Sequence, residues 1–147
     1  MKEISKKEQL EQVVSGVFAA SIKLNRIAEE LLNNSQYNIG CTALSVMVSI
    51  RRSENHITVP QIAEKYLISR QAVQRQVTQL MEEGLIEKCE NPNHKRSSFY
   101  VLTEKGEMTL DAIFMDVFDP WMNGLVKKYD HIDLSGVLTV LNEVTHF

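Results

Sequence analysis

The chain has 147 residues, 44% of them hydrophobic and 24% charged, which is enough for one domain with a core of its own. The net charge of −3 gives no reason, taken alone, to expect a nucleic-acid partner. The two cysteines are far apart in the chain and show no disulfide framework, which fits a reducing compartment. No apolar run reaches membrane-spanning length. We therefore expect a cytoplasmic protein with no membrane partner.

The charge is unevenly distributed along the chain. Residues 51–100 contain eight Lys and Arg against six Asp and Glu, whereas the rest of the chain contains eight against thirteen. The middle of the chain is therefore net positive, whereas the remainder taken together is net negative. This distribution is compatible with a nucleic-acid-binding middle region.

Two helices are predicted before residue 53. From about Lys6 to Leu32, apolar residues recur at the spacing of a long amphipathic helix. A second helix is predicted from about Thr42 to Arg52, and its apolar residues lie nearly all round it. That pattern indicates a buried central element.

The next stretch has the pattern of two short helices joined by a turn. Thr58 and Gln61 have capping-box spacing, and Pro60 falls in the first turn, where its missing N–H costs nothing. Ser69 is the expected N-cap of the second helix, and Gly84 is expected to end it in the left-handed conformation. We expect five apolar side chains of that second helix to face inward: Ala72, Val73, Val77, Leu80 and Met81.

A hairpin is predicted after the second of these helices. Two strand-like runs, 85–89 and 98–102, flank a polar segment with the turn chemistry of Asn and Pro. Lys95 and Arg96 give the hairpin a basic tip, and residues 56–57 are placed to add a short strand beside it.

The remaining residues are predicted to be helical. Thr103 caps a helix that continues to about Tyr129, and Pro120 predicts a kink or break near Phe118–Asp119. Asp133 is the expected cap of a last helix. The apolar surface of three helices, namely the first, the one that starts at Thr103 and the last, exceeds what a small domain needs. These helices either pack on their own domain or join a second copy.

A helix-turn-helix followed by a hairpin is the winged-helix arrangement, and the chain resembles the MarR family of bacterial transcription regulators. Five segments carry the resemblance: 61–63, 69–73, 80–86, 91–96 and 102–106. The most specific of them is Leu-Thr-Glu-Lys-Gly at 102–106, at this distance after the hairpin. The chain departs from the family at His94, where an Asp usually stands two residues before the wing arginine and can hold it by a charge-assisted pair.

The resemblance implies a mainly α-helical fold with a small wing (α+β), namely a winged helix-turn-helix with N- and C-terminal dimerisation helices. It predicts one MarR-like domain over 1–147, with dimerisation helices at about 6–34 and 107–147 and a DNA-binding region at about 41–105. It further implies a homodimer that binds a pseudo-palindromic operator in double-stranded DNA as a repressor. A small molecule or another signal would release it.

The candidate DNA contacts lie on the second helix of the motif and at the wing tip. Arg and Gln can each make two hydrogen bonds to one base edge, and a basic tip can reach phosphate or a narrow minor groove. The candidates are Ser69, Arg70, Gln71, Gln74, Arg75, Thr78, Lys95 and Arg96. The competing interpretations are a solvated helix face and a winged helix that contacts an acidic protein partner.

Relatives in the family bind small aromatic or lipophilic effectors, and the residues that would line such a cleft here are Phe18, Met47, Trp121 and Met122. The competing interpretation places these side chains in a core or an interface. Cys41 or Cys89 would serve a redox-sensing regulator, although nothing near either indicates a lowered thiol pKa. No catalytic residue, metal site or cofactor is predicted, because phosphate-loop, metal-ligand and nucleophile–base patterns are missing from the sequence.

Overall fold

The structure, a computed structural model, describes residues 4–53, 56–92 and 97–145. Its elements in chain order are α1 (Lys6–Asn33), α2 (Cys41–Arg52), α3 (Val59–Tyr66), α4 (Arg70–Glu82), β1 (Ile86–Cys89), β2 (Phe99–Leu102), α5 (Glu104–Ile113), a π-helical segment (Phe114–Phe118), α6 (Asp119–Tyr129) and α7 (Ser135–Thr145). A mainly helical chain with a small antiparallel sheet confirms the predicted fold class.

The helices begin where the sequence supplies capping side chains. Thr58 and Gln61 form the predicted capping box, with the Thr58 amide donating to Gln61 Oε1 at 2.9 Å. Ser69 Oγ accepts a hydrogen bond from the amide three residues later, at 3.1 Å. Asp133 was expected to cap α7, but the helix begins at Ser135 and Asp133 lies one residue before the N-cap position; its Oδ1 still accepts from the Ser135 amide at 2.9 Å. These contacts satisfy amides that have no partner within their own helix.

The strands form the predicted hairpin. β1 pairs antiparallel with β2, so that Ile86 lies opposite Leu102 and Cys89 lies opposite Phe99. Where a short additional strand was predicted beside the hairpin, the structure has a single antiparallel bridge between residues 57 and 100. The predicted basic tip, Lys95 and Arg96, lies outside the described residues.

One core holds α2, α3, α4, the hairpin and the start of the C-terminal helices together. Its buried apolar residues are Leu32, Ile39, Ala43, Val46, Met47, Ile50, Ile62, Ala63, Val73, Val77, Leu80, Leu85, Ile86, Tyr100, Leu110, Ile113 and Val117. α2 supplies five buried residues and is the predicted central element. Met81 was expected to face inward but is 39% exposed, because it lies about 100° round α4 from Leu80, at the edge of the buried stripe.

The break predicted near Phe118–Asp119 takes the form of a π-helical segment. The Asp119 amide donates to the carbonyl of Phe114, five residues back, and α6 starts at Asp119 with Pro120 in its first turn. Because proline has no N–H and its ring crowds the preceding turn, the α-helical bonding pattern is interrupted there. Among the described residues, no helix is both long enough and apolar enough to cross a membrane.

The turn between α3 and α4 contains a residue in an unfavourable conformation. Leu67 has φ +52° and ψ +40°, the left-handed region, and its side chain is 92% exposed. Leu67→Gly is expected to raise the free energy of unfolding by about 0.5–1 kcal/mol, because the relief of backbone strain exceeds the added flexibility of the unfolded chain. Urea denaturation measures this change in the free energy of unfolding. Leu67→Ala keeps the strain and serves as the control; equal stability of both variants would contradict this account.

Candidate nucleic-acid interface

The outer face of α4 is polar and free of contacts with the core. Its exposed side chains include Arg70, Gln71, Gln74, Arg75 and Thr78. α4 has 13 residues and is therefore about 20 Å long. A helix of ordinary width, about 10–12 Å, fits the major groove of B-DNA. The structure thus brings these predicted DNA contacts together on one surface that has the right shape for the groove.

The amino end of α4 is suited to a phosphate. Ser69 is exposed and uses its Oγ to cap the helix. The first amides of a helix carry a partial positive charge, which favours an anion at this end. Arg70 directly follows the cap and adds a full positive charge. The carboxyl end of the same surface carries Glu82 instead, so charge favours DNA contact along the first half of α4.

A groove separates α4 from the wing. It has a volume of about 510 Å³ and is lined by Val59, Pro60, Arg70, Gln71, Gln74, Lys88, Ser97, Ser98 and Tyr100. Lys88 was not among the predicted site residues. The signal was available in the alternation of strand β1, since Ile86 is buried against the helices and Lys88, two residues on, points to the same side. Lys88 therefore faces α4 from the wing and adds a cation to the interface.

Thr78 contributes an apolar group rather than a donor. Its hydroxyl donates to the backbone carbonyl of Gln74 at 2.9 Å, one turn back in the helix. The side chain is exposed, so its methyl group remains available. A threonine methyl is suited to contact the methyl group of thymine in the major groove.

The residues predicted to line an effector cleft lie in different environments. Met47 has no exposed surface and belongs to the core, whereas Phe18 is 69% exposed on α1. Trp121 is half-buried and Met122 is exposed, both on α6. The described chain does not bring Met47 and Phe18 to a common surface, and the cleft stays a prediction.

The thiols are free and partly exposed. Burial raises the pKa of the Cys41 thiol, and the negative charge of Glu29 adds to that effect. A raised pKa lowers the fraction of reactive thiolate at neutral pH, which is unfavourable for a peroxide sensor at Cys41. Within the described ranges, no group of three or more His, Cys, Asp and Glu is arranged to hold a metal ion.

The sequence is similar to known proteins over most of its length. A model of the MarR family matches residues 39–97. An uncharacterised protein of Mycobacterium tuberculosis is 34% identical over 106 residues, which are 72% of this chain and 71% of that protein. The HTH-type transcriptional regulator BilQ of Clostridioides difficile is 24% identical over 98 residues, covering 67% and 65% of the two chains.

Solved structures show the same fold. MarR from E. coli in its apo form has a TM-score of 0.64 and 21% identity, covering 99% of this chain and 98% of that one. BldR from Sulfolobus solfataricus reaches 0.68 at 21% identity, with 98% and 97% covered. A mutant of E. coli MarR complexed with operator DNA reaches 0.66 at 20% identity, with 97% and 98% covered. The chain belongs to the MarR family of winged-helix transcription regulators.

Proposed function

We propose that the protein binds double-stranded DNA in a sequence-specific manner, with α4 in the major groove and the wing beside it. The observation that carries the proposal is the exposed polar face of α4, which holds Arg70, Gln71, Gln74 and Arg75 next to the cationic Lys88 of the wing. The proposal includes the predicted tip contacts, Lys95 and Arg96, which lie outside the described residues. The E. coli MarR mutant with this fold is complexed with operator DNA, which supports the proposal.

The second part of the proposal is a homodimer formed through the chain's two ends. An apolar groove of about 530 Å³ runs between α1 and α7, and its lining is almost entirely apolar. Its walls are Val13, Gly16, Val17, Ala20, Ser21, Leu24, Gly136, Val137, Val140 and Leu141. Apolar surface in water is unfavourable by about 25 cal/mol per Å², so a partner that covers it gains stability. Contiguous apolar patches of this kind mark association sites.

A second copy of the chain is the partner that fits this surface best. Large apolar residues such as Ile22 on α1 and Leu138 on α7 point into solvent. In a two-fold dimer the same helices of both copies cover one another, so one patch explains both apolar faces. This arrangement also leaves the exposed polar face of α4 uncovered in each copy.

A two-fold dimer determines the form of the DNA site and of its regulation. It would present two α4 helices one DNA turn apart, roughly 34 Å, and so recognise a pseudo-palindromic operator. We propose a cytoplasmic repressor that covers this operator. A small aromatic or lipophilic molecule, or another signal, that changes the separation of the two α4 helices would release the DNA, because the spacing would no longer match.

Selection of bound sequences from a random duplex pool tests this function directly. We expect enrichment of two inverted half-sites whose centres are about 10–10.5 base pairs apart or a multiple of that distance. Binding should weaken steeply as salt rises, since contacts to phosphate release counterions. Enrichment of no sequence over bulk competitor would refute the proposal, and binding to an acidic protein instead would favour a protein-interaction module.

Arg75→Ala is expected to lower the affinity for the selected operator by about 1–3 kcal/mol and to relax the base preference at one position in each half-site. The reason is the loss of a side chain that can make two hydrogen bonds to guanine. Fluorescence anisotropy with a set of single-base operator variants measures both effects. Arg26→Ala, which removes the same charge from an exposed position on α1, is the control and should bind as the wild type does. An unchanged preference in Arg75→Ala would remove this residue from the site.

A further inference from the structure

The carboxyl end of α4 leaves three successive carbonyl groups outside the helix. Gly84 has φ +70°, and the Leu85 amide donates to the carbonyl of Leu80 at 2.9 Å while the Gly84 amide donates to that of Met81 at 3.0 Å. These two bonds form the usual glycine-ended helix terminus. They leave the carbonyls of residues 83, 84 and 85 to find partners elsewhere in the fold.

All three carbonyls are bound by the first turn of α5, which we call the capping turn (residues 103–106). Lys105 Nζ donates to the carbonyl of residue 83 at 2.6 Å. The Thr103 hydroxyl donates to that of residue 84 at 2.7 Å, and the Thr103 amide donates to that of residue 85 at 3.0 Å. Thr103 Oγ1 also accepts from the Gly106 amide at 3.0 Å. The Thr103 hydroxyl thus caps α5 and also joins the start of α5 to the carboxyl end of α4.

The position of Lys105 has no explanation within α5 itself. It lies in the first turn of that helix, where the partial positive charge of the helix end disfavours a cation. The carboxyl end of α4 has the opposite partial charge and favours one. The 2.6 Å contact with the carbonyl of Glu83 therefore accounts for a lysine at this place.

The other end of α5 is held to the same domain. Arg51 of α2 pairs with Asp111 at 2.6 Å, and its guanidinium lies 5.3 Å from the centroid of the Phe114 ring. The Tyr37 hydroxyl donates to Asp116 at 2.5 Å in the π-helical segment, a contact that raises the pKa of Tyr37. α5 is consequently held near both of its ends before the chain continues into α6.

We propose that Lys105 is a positioning residue for operator recognition. Through the capping turn it holds the carboxyl end of α4 to α5, so that α4 keeps one tilt relative to the helices that would join the two copies. This inference rests on the proposed function. It assigns DNA discrimination to a residue that contacts the backbone of α4 and no base.

The test compares Lys105→Met with the wild type on the selected operator and on a competitor duplex of scrambled sequence, over a range of salt. We expect Lys105→Met to lose about fivefold or more in operator affinity, with competitor affinity within about twofold and an unchanged salt slope. Lys105→Arg, which can still donate to a carbonyl, should keep both affinities within about twofold. Lys6→Met, which removes the same charge from an exposed position, is the matched control.

Two outcomes of the binding experiment would overturn the inference that Lys105 positions α4 for operator recognition. Equal losses on both duplexes, with a salt slope shallower by about one, would make Lys105 a direct phosphate contact. Operator discrimination equal to the wild type's, with only a lower melting temperature, would leave Lys105 a purely structural role.

Amide hydrogen exchange of the free protein separates a failure of this inference from a failure of the proposed function. In Lys105→Met, amides near the end of α4 should exchange roughly threefold faster or more, because their helix end has lost a partner. If the wild type prefers no duplex, the proposed function fails and the inference about discrimination fails with it. Unchanged exchange in Lys105→Met would refute the contact itself, whatever the wild type binds.

Discussion

Val137→Asp is expected to convert the protein from a dimer to a monomer and to lower its operator affinity by about 10²–10⁴-fold. Val137 is 51% exposed in the single chain and lines the apolar groove between α1 and α7. A carboxylate at this position would be buried without a partner in the proposed dimer, which is strongly unfavourable. A monomer has one α4 helix in place of two, and it loses the gain in affinity that comes from binding two linked half-sites.

Sedimentation velocity gives the oligomeric state, and fluorescence anisotropy gives the affinity for a full operator and for an isolated half-site. Val137→Asp should bind the half-site as well as the wild type does, since α4 is untouched. Thr139→Asp is the matched control, because Thr139 is exposed on the same helix and is not part of the groove lining. A Val137→Asp protein that stays dimeric would exclude this groove as the dimer interface.

The elements that the sequence predicted well depend on residues close together in the chain. The Thr58–Gln61 capping box and the Ser69 cap each join groups three residues apart, so the local pattern contains the whole interaction. The same holds for Gly84, whose left-handed conformation follows from its place just after a helix. The polar outer face of α4 was likewise predictable. Helical periodicity alone places it on the side opposite the buried Val73 and Val77.

The features that the sequence did not reveal depend on distant parts of the chain. Lys105 and the carbonyl of Glu83 are 22 residues apart, and their contact exists only because α5 packs across the end of α4. Pro120 predicted an interruption, yet whether the helix would kink, stop or widen into a π-helical segment depends on how the flanking helices are held. Leu67 shows the same limit, since a leucine gives no local sign of a left-handed turn.

Gly106→Ala is expected to lower the free energy of unfolding by about 3 kcal/mol or more. A Cβ atom at this position would lie 1.9 Å from the carbonyl oxygen of Leu85 and 2.9 Å from its carbonyl carbon. Both are backbone atoms, so the clash is relieved only if α5 moves away from the end of α4 and the hydrogen bonds of the capping turn weaken. The gain of about 0.5–1 kcal/mol that alanine normally brings to a helix is too small to offset this.

Urea denaturation of both variants at the same protein concentration checks the prediction, since the stability of a dimer depends on concentration. Gly124→Ala is the control: Gly124 is also helical, nothing lies within 4 Å of its added Cβ, and the change should stabilise the protein slightly. A Gly106→Ala protein as stable as the wild type would show that α4 and α5 can separate without cost. If the variant instead folds with reduced stability, it should also discriminate its operator poorly, because the displacement of α5 would release the end of α4 that the capping turn holds in position.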